Sequence, residues 1–273
     1  MIYKVVRICV FIIALSCVLF AQTDHQSSQL RVLFASSSAQ KSKEKFRAKT
    51  QEIVVGDRLI RAGLIRPRTE QFVVFTSKGD ATRYQGTLTR TIQAFNLQGQ
   101  EAFRLVEKFD SSTSASVDTS VVTRKTLEPL SHQSESNAGS QAFSFSPTQI
   151  SGSISLKNGD KKDINENLRE RAFNIATVFD VLQSLPLAKG RSFRLPHYDP
   201  GRTFGKTELT VLALDSLELL GDKPVASWRI EMKNGTSPAT TIWVSVKHQE
   251  VLGMKALLTD GSEFWRIRLV KPW

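Results

Sequence analysis

Beyond position 17 the chain has no cysteine: Cys9 and Cys17 both lie within the first twenty residues. If that segment is removed, the remainder has no disulfide, no thiolate nucleophile and no cysteine-ligated metal. Long apolar runs are also scarce. The one unbroken stretch, residues 8–20, makes about 20 Å of helix against about 30 Å of bilayer core, and no second run approaches spanning length. Catalytic signatures that can be read along a chain are missing too. There is no Gly-x-Ser-x-Gly elbow, no HExxH, no glycine-rich phosphate loop and no pair of acidic clusters of two-metal type. Negative charge is in deficit, with 26 acidic residues against 37 basic ones and a formal charge of +11. That balance favours anionic partners without determining fold.

What is present begins with an export signal. Lys4 and Arg7 precede the apolar segment, and Ala21, with Leu19 two places before it, forms a small-residue cleavage site. Residues 1–21 therefore read as a signal peptide, and the mature chain is expected in the periplasm or outside the cell. Two alternatives are an uncleaved membrane anchor and a lipid on Cys17, where the preceding Ala14, Leu15 and Ser16 place leucine one position late for a lipoprotein signal. Cleavage takes two basic residues and no acidic ones, so the formal charge falls from +11 to +9. Residues 22–45 read as a flexible, Ser/Gln/Lys-rich arm around Leu30, Val32, Leu33 and Phe34, and residues 46–273 as a single β-rich domain. Nine basic residues against three acidic ones between 41 and 68 suggest nucleic acid. Export and the lack of any presenting motif argue against it, leaving a solvated edge or a contact with anionic envelope lipid or polymer.

From residue 70 onward, alternation with turn punctuation predicts strands at 72–76, 81–95 and 103–109, with 111–120 (SSTSASVDTS) as a loop. Val121 and Val122 start a strand carrying Thr126 and Leu127, and 150–156 followed by Asn158-Gly159 predicts a hairpin. Between 165 and 185, Leu168, Ala172, Ile175, Phe179 and Leu182 recur at helical spacing. With a capping pair at Asp163 and Glu166 and a stop at Pro186, they predict one amphipathic helix lying on the sheet. The late strands follow as a meander. Ala226, Trp228 and Ile230 share a face, as do Ile242, Val244 and Val246. Trp265, Ile267 and Leu269 are expected inward, with Arg266 and Arg268 outward. The fold class is mainly β, a curved antiparallel sheet or open β-barrel with one packed helix.

These pieces, in this order, carry a resemblance. They are TRKTLEPLSHQSE (123–135), FDVLQSLPLAKGRSFRLPHYDP (179–200), ELTVLALDSLELLG (208–221), VASWRIEMKNG (225–235), TIWVSVKHQEVLGMKALLTDG (241–261) and FWRIRL (264–269). Over about 120–270 the chain resembles a large uncharacterised family of bacterial exported envelope proteins, a domain of unknown function. Asp180, Leu182, Leu185, Pro186 and Leu187 take the place of that family's helix end. Leu217-Glu218, Trp228 and Trp243-Val244-Ser245 take the place of its late strands, with Ser216-Leu217 where a glycine usually precedes the glutamate. The resemblance implies a curved antiparallel sheet or open barrel with a helix against it, an architecture like that of envelope lipoprotein carriers. It implies no catalytic residue and no cofactor.

Two groups of residues stand out for function. The helical face of Leu168, Ala172, Ile175, Phe179 and Leu182 is expected to line an apolar, lipid-sized space, with Trp243, which alternates away from Ile242 and Val244, as a partly exposed contact. His197, Tyr198 and Asp199, bracketed by Pro196 and Pro200 in a rigid loop, form a candidate polar site. A zinc site needs a third ligand, and His25, His132 and His248 have no matching spacing. Ser131-His132 and Ser245 are weaker nucleophile candidates. No metal or cofactor is expected. The reading is a non-catalytic exported envelope protein that binds a hydrophobic or anionic ligand such as lipid. The alternatives are a structural or assembly factor working through its surface, and a hydrolase using the His197/Asp199 region.

Overall fold

The computed structural model describes residues 49–199, 203–220 and 223–269. The signal segment with Cys9 and Cys17, the arm, Pro200 and Trp273 lie outside the described residues. Among the described residues there are sixteen strands: β1 (Gln51–Glu52), β2 (Arg68–Lys78), β3 (Ala81–Leu97), β4 (Gln100–Asp110), β5 (Ala115–Thr123), β6 (Pro129–Ser136), β7 (Gly139–Phe145), β8 (Gln149–Leu156), β9 (Lys161–Asn167), β10 (Phe173–Asn174), β11 (Ser192–Asp199), β12 (Thr203–Leu217), β13 (Val225–Asn234), β14 (Thr240–Ser245), β15 (Val251–Leu257) and β16 (Glu263–Arg268). The described residues hold one α-helix, α1 (Val178–Ser184), which follows a short 3-10 turn at Ile175–Thr177.

The strands form one non-closed sheet in the order β1-β11-β12-β13-β14-β15-β16-β2-β3-β4-β5-β6-β7-β8-β9. Neighbours are antiparallel except at the β11 edge, where β1 and β10 both pair in parallel. The sheet curls. Phe72 of β2, Phe103 of β4, Val122 of β5, Leu209 of β12 and Ile242 of β14 all enter one buried cluster with Leu182 of α1. Curvature needs local room, and Gly86 supplies some of it. A Cβ there would stand 2.4 Å from the Asp110 carbonyl oxygen and 2.7 Å from the Phe109 ring, beside the register shift between Val74 and Phe75.

Pairing the ladder does not require every concave side chain to be apolar. Glu70 of β2, Arg90 of β3, Glu107 of β4 and Asp118 of β5 are successive cross-strand partners, so alternation turns all four to the same, concave face. Helix α1 is fastened to this belt. Arg90 Nη2 donates to Asp180 Oδ1 and Oδ2 at 2.6 and 2.5 Å, and Arg68 Nη2 donates to Gln183 Oε1 at 2.7 Å. Leu185, with extended backbone ahead of Pro186, ends the helix.

Four sequence expectations are corrected. The helix predicted over 165–185 begins only at 178, because 161–167 and 173–174 pair as strands. The segment 111–120 holds the first six of the nine residues of β5, and its Ser/Thr alternation is a strand with a polar inner face. Thr126 and Leu127 lie in the turn between β5 and β6, where Leu127 adopts φ 56° and is fully buried. In β16 the faces are inverted: Phe264 joins the concave core, Arg266 is buried above the Phe72 ring at 4.2 Å, and Trp265 and Ile267 pack on the convex side.

Candidate functional site

A cavity of about 200 Å³ lies on the concave side, between the sheet and the segment that leads into α1. Its apolar wall includes Leu88, Leu105 and Phe109 from β3 and β4, with Ile175 and Phe179 above them. The opposite wall is polar because β5 and β6 alternate serine, aspartate and histidine inward. Ser120 and His132 face each other in register, as do Asp118 and Ser134.

Ser120 Oγ and His132 Nδ1 share a hydrogen bond of 2.9 Å, and Asn174 Nδ2 of β10 donates to the same hydroxyl at 3.3 Å. His132 Nε2 stands 4.0 Å from Asp118 Oδ1, beyond hydrogen-bond reach. Burial lowers the His132 pKa to about 4, so the ring is neutral at pH 7. Burial also raises the Asp118 pKa, to about 6. A hydrogen bond from Ser134 pulls against the rise, and the Glu107 charge adds to it. Glu107 itself is held low: burial would raise it, but Arg266 and Arg90 outweigh that. Burial would lower Arg90, yet the carboxylates of Asp180, Glu107 and Glu70 push it above its usual value. Burial raises Asp180 despite Arg90; at 2.5 Å the contact is an ion pair.

Serine, imidazole and carboxylate meet here, yet the arrangement is poorly set for acyl transfer. Ser120 sits within a central strand whose backbone is laddered on both sides, which leaves no free pair of N–H groups for an oxyanion. Its chemistry is that of a polar wall beside an apolar one.

Of the residues singled out by sequence, Ile175 and Phe179 line the cavity. Leu182 is fully buried in the main core. Leu168 and Ala172 belong to a separate cluster with Phe143, Ile150, Ile164 and Tyr198. Trp243 is buried rather than exposed, stacked on Trp265 with ring centroids 5.8 Å apart on the convex face. His197, Tyr198 and Asp199 lie in strand β11 instead of a loop. Pro196 fits there because it falls between the stretches of β11 that pair with β1 and with β10. His197 Nδ1 and Thr207 Oγ1 are 2.9 Å apart, and Thr207 Oγ1 donates to Asn234 Oδ1 at 2.6 Å, so this group reaches the cavity only through Asn234. Burial lowers the His197 pKa to about 4. Tyr198 packs edge-on to Phe145 at 6.3 Å. Asp118, Ser120, Asn174, Arg90 and Glu107 were missed; the available signal was the period-two spacing of Ser116, Asp118 and Ser120.

Among the described residues no three His, Cys, Asp or Glu side chains are grouped to hold a metal, and no helix is long and apolar enough to cross a membrane. No curated protein matches the chain. Among solved structures it is similar to a beta-barrel-like protein of domain of unknown function DUF1849 from Brucella abortus, at 9% identity and TM-score 0.47, covering 74% of this chain and 95% of that one. The family described as "Protein of unknown function (DUF3108)" matches residues 76–264. The chain belongs to that family.

Proposed function

We propose that this protein is an exported envelope protein that binds a small amphipathic molecule, or the end of a lipid chain, on the concave side of its sheet. The observation that carries the reading is the cavity of about 200 Å³ with an apolar wall and a polar wall facing each other. A cavity of about 150 Å³ holds a benzene-sized body, so this space suits a chain of about six heavy atoms rather than a whole phospholipid. The expectation of a lipid-sized space is thereby reduced to one chain end.

A reporter at Phe179 tests binding. Phe179→Trp places an indole on the cavity wall, and six-carbon compounds should change its emission. Ile175→Trp, which fills the same space, should weaken their binding at least tenfold. Mass spectrometry of protein taken from its own envelope should find a co-purifying small molecule or lipid. A flat titration, together with protein free of any such molecule, favours a structural or assembly factor instead. Export is tested separately: N-terminal sequencing of the mature protein should begin near Gln22, and retention of Met1 would overturn it.

A further inference from the structure

The charges around the cavity do not balance locally. Arg90 is ion-paired with Asp180 and with Glu107, whose Oε1 lies 3.0 Å from Arg90 Nε. Arg266 Nη2 donates to the same Glu107 oxygen at 3.1 Å. Asp118 differs from these. Its direct cross-strand partner is Glu107, another carboxylate, and like charges opposite each other are destabilising. Among the described residues no Lys or Arg lies within 4 Å of it, and the ring of His132 at 4.0 Å is neutral. The titratable groups that face Asp118 are thus His132 from β6 and Glu107 from β4, while Arg90 and Arg266 are turned to Glu107. The segment at Ile175–Phe179 brings only apolar side chains to the cavity.

We propose that the cavity takes a primary ammonium on a short apolar body, with the ammonium seated at Asp118 and the body against Phe109 and Phe179. This rests on the ligand-binding reading above and names the class of ligand. A primary ammonium has three donors and no acceptor. The wall beside Asp118 offers the Ser116 and Ser120 hydroxyls and the Gln141 amide as further acceptors. The cation also removes the repulsion that Asp118 meets from Glu107.

Calorimetric titration of the full mature chain with hexylammonium, 1-hexanol and hexanoate at pH 7.5 tests this. Hexylammonium should bind at least tenfold more tightly than either competitor. Asp118→Asn should abolish that preference, so that hexylammonium no longer binds the variant more tightly than 1-hexanol does. Affinity for hexylammonium should fall as the pH is lowered from 7.5 to 5, because the Asp118 carboxyl takes up a proton near pH 6. Equal binding of all three compounds overturns the ammonium assignment and leaves the cavity as a binding site. Binding of none of them overturns both readings. The comparison among ligands on the unaltered protein keeps the test decisive even if Asp118→Asn fails to fold.

Discussion

Asp118 is a residue whose native environment works against its own charge. Burial and Glu107 raise its pKa to about 6 from an ordinary value of 3.8, so folding favours the protonated form. Stability contributed by this group is present at low pH and is lost as the pH rises from about 4 to about 6. Asp118→Asn should therefore stabilise the unliganded protein at pH 7.5 by about 1–3 kcal/mol, with the gain shrinking as the pH is lowered toward 4. Urea unfolding at several pH values measures this, and a variant less stable than the parent at pH 7.5 would mean that the carboxylate has a favourable partner in the fold. Individual residues of this kind were hard to read from the sequence. Ser116, Asp118 and Ser120 stand in a Ser/Thr-rich stretch whose composition signals a loop, and only pairing with β4 and β6 turns them inward. Arg266 misled for a related reason. Its carboxylate, Glu107, is 159 positions away in sequence, and no local pattern announces a buried arginine.

At the scale of elements, most strands were legible because their alternation and turns are local. The turns at Gly79, Gly159, Gly235 and Gly261 all adopt positive φ, as their sequences require. The helix was legible only in its second half. Leu168 and Ala172 are apolar because they pack with Ile150 and Ile164, while Leu182 is apolar because it enters the main core. A period of three to four residues across 168–182 thus joined two different environments. What holds the true helix is Asp180 on Arg90. Asp180→Ala leaves a fully buried guanidinium short of its closest partner and should cost about 3–5 kcal/mol, whereas Asp180→Leu combined with Arg90→Met should recover most of that loss. Leu182→Ala should cost about 2–5 kcal/mol. Phe179→Ala should cost less than Leu182→Ala, since Phe179 is only half-buried and borders the cavity. Denaturant titration of the four variants checks the order, and a harmless Asp180→Ala would show that α1 is not fastened through this pair.

For the whole molecule, the open question of an open sheet is what stabilises its gap. Strand β10 reaches from the β11 edge across to β5 and β6. It pairs with β11 through Phe173 opposite His197 and Asn174 opposite Tyr198, and Asn174 Nδ2 donates across to Ser120 of β5, which itself bonds His132 of β6. Two buried histidines thus flank one seam, and burial holds the pKa of each at about 4 against an ordinary 6.5. Both are neutral in the folded state at pH 5 while an unfolded chain would protonate them. Their contribution to stability is therefore full above about pH 6.5 and is lost as the pH falls through about 4. Each is worth up to about 3 kcal/mol over that window. His132→Gln with His197→Gln removes this dependence, so the stability difference between parent and double variant should rise with pH between 4 and 6.5. Protonation at the seam should also free its backbone before the rest of the sheet opens. Hydrogen exchange, corrected for the intrinsic pH dependence of the amides, should show the Phe173 and Asn174 region losing protection at a higher pH than β2, β3 and β4. Uniform loss across all strands would mean that the sheet opens as one unit and that β10 is not its acid-labile closure.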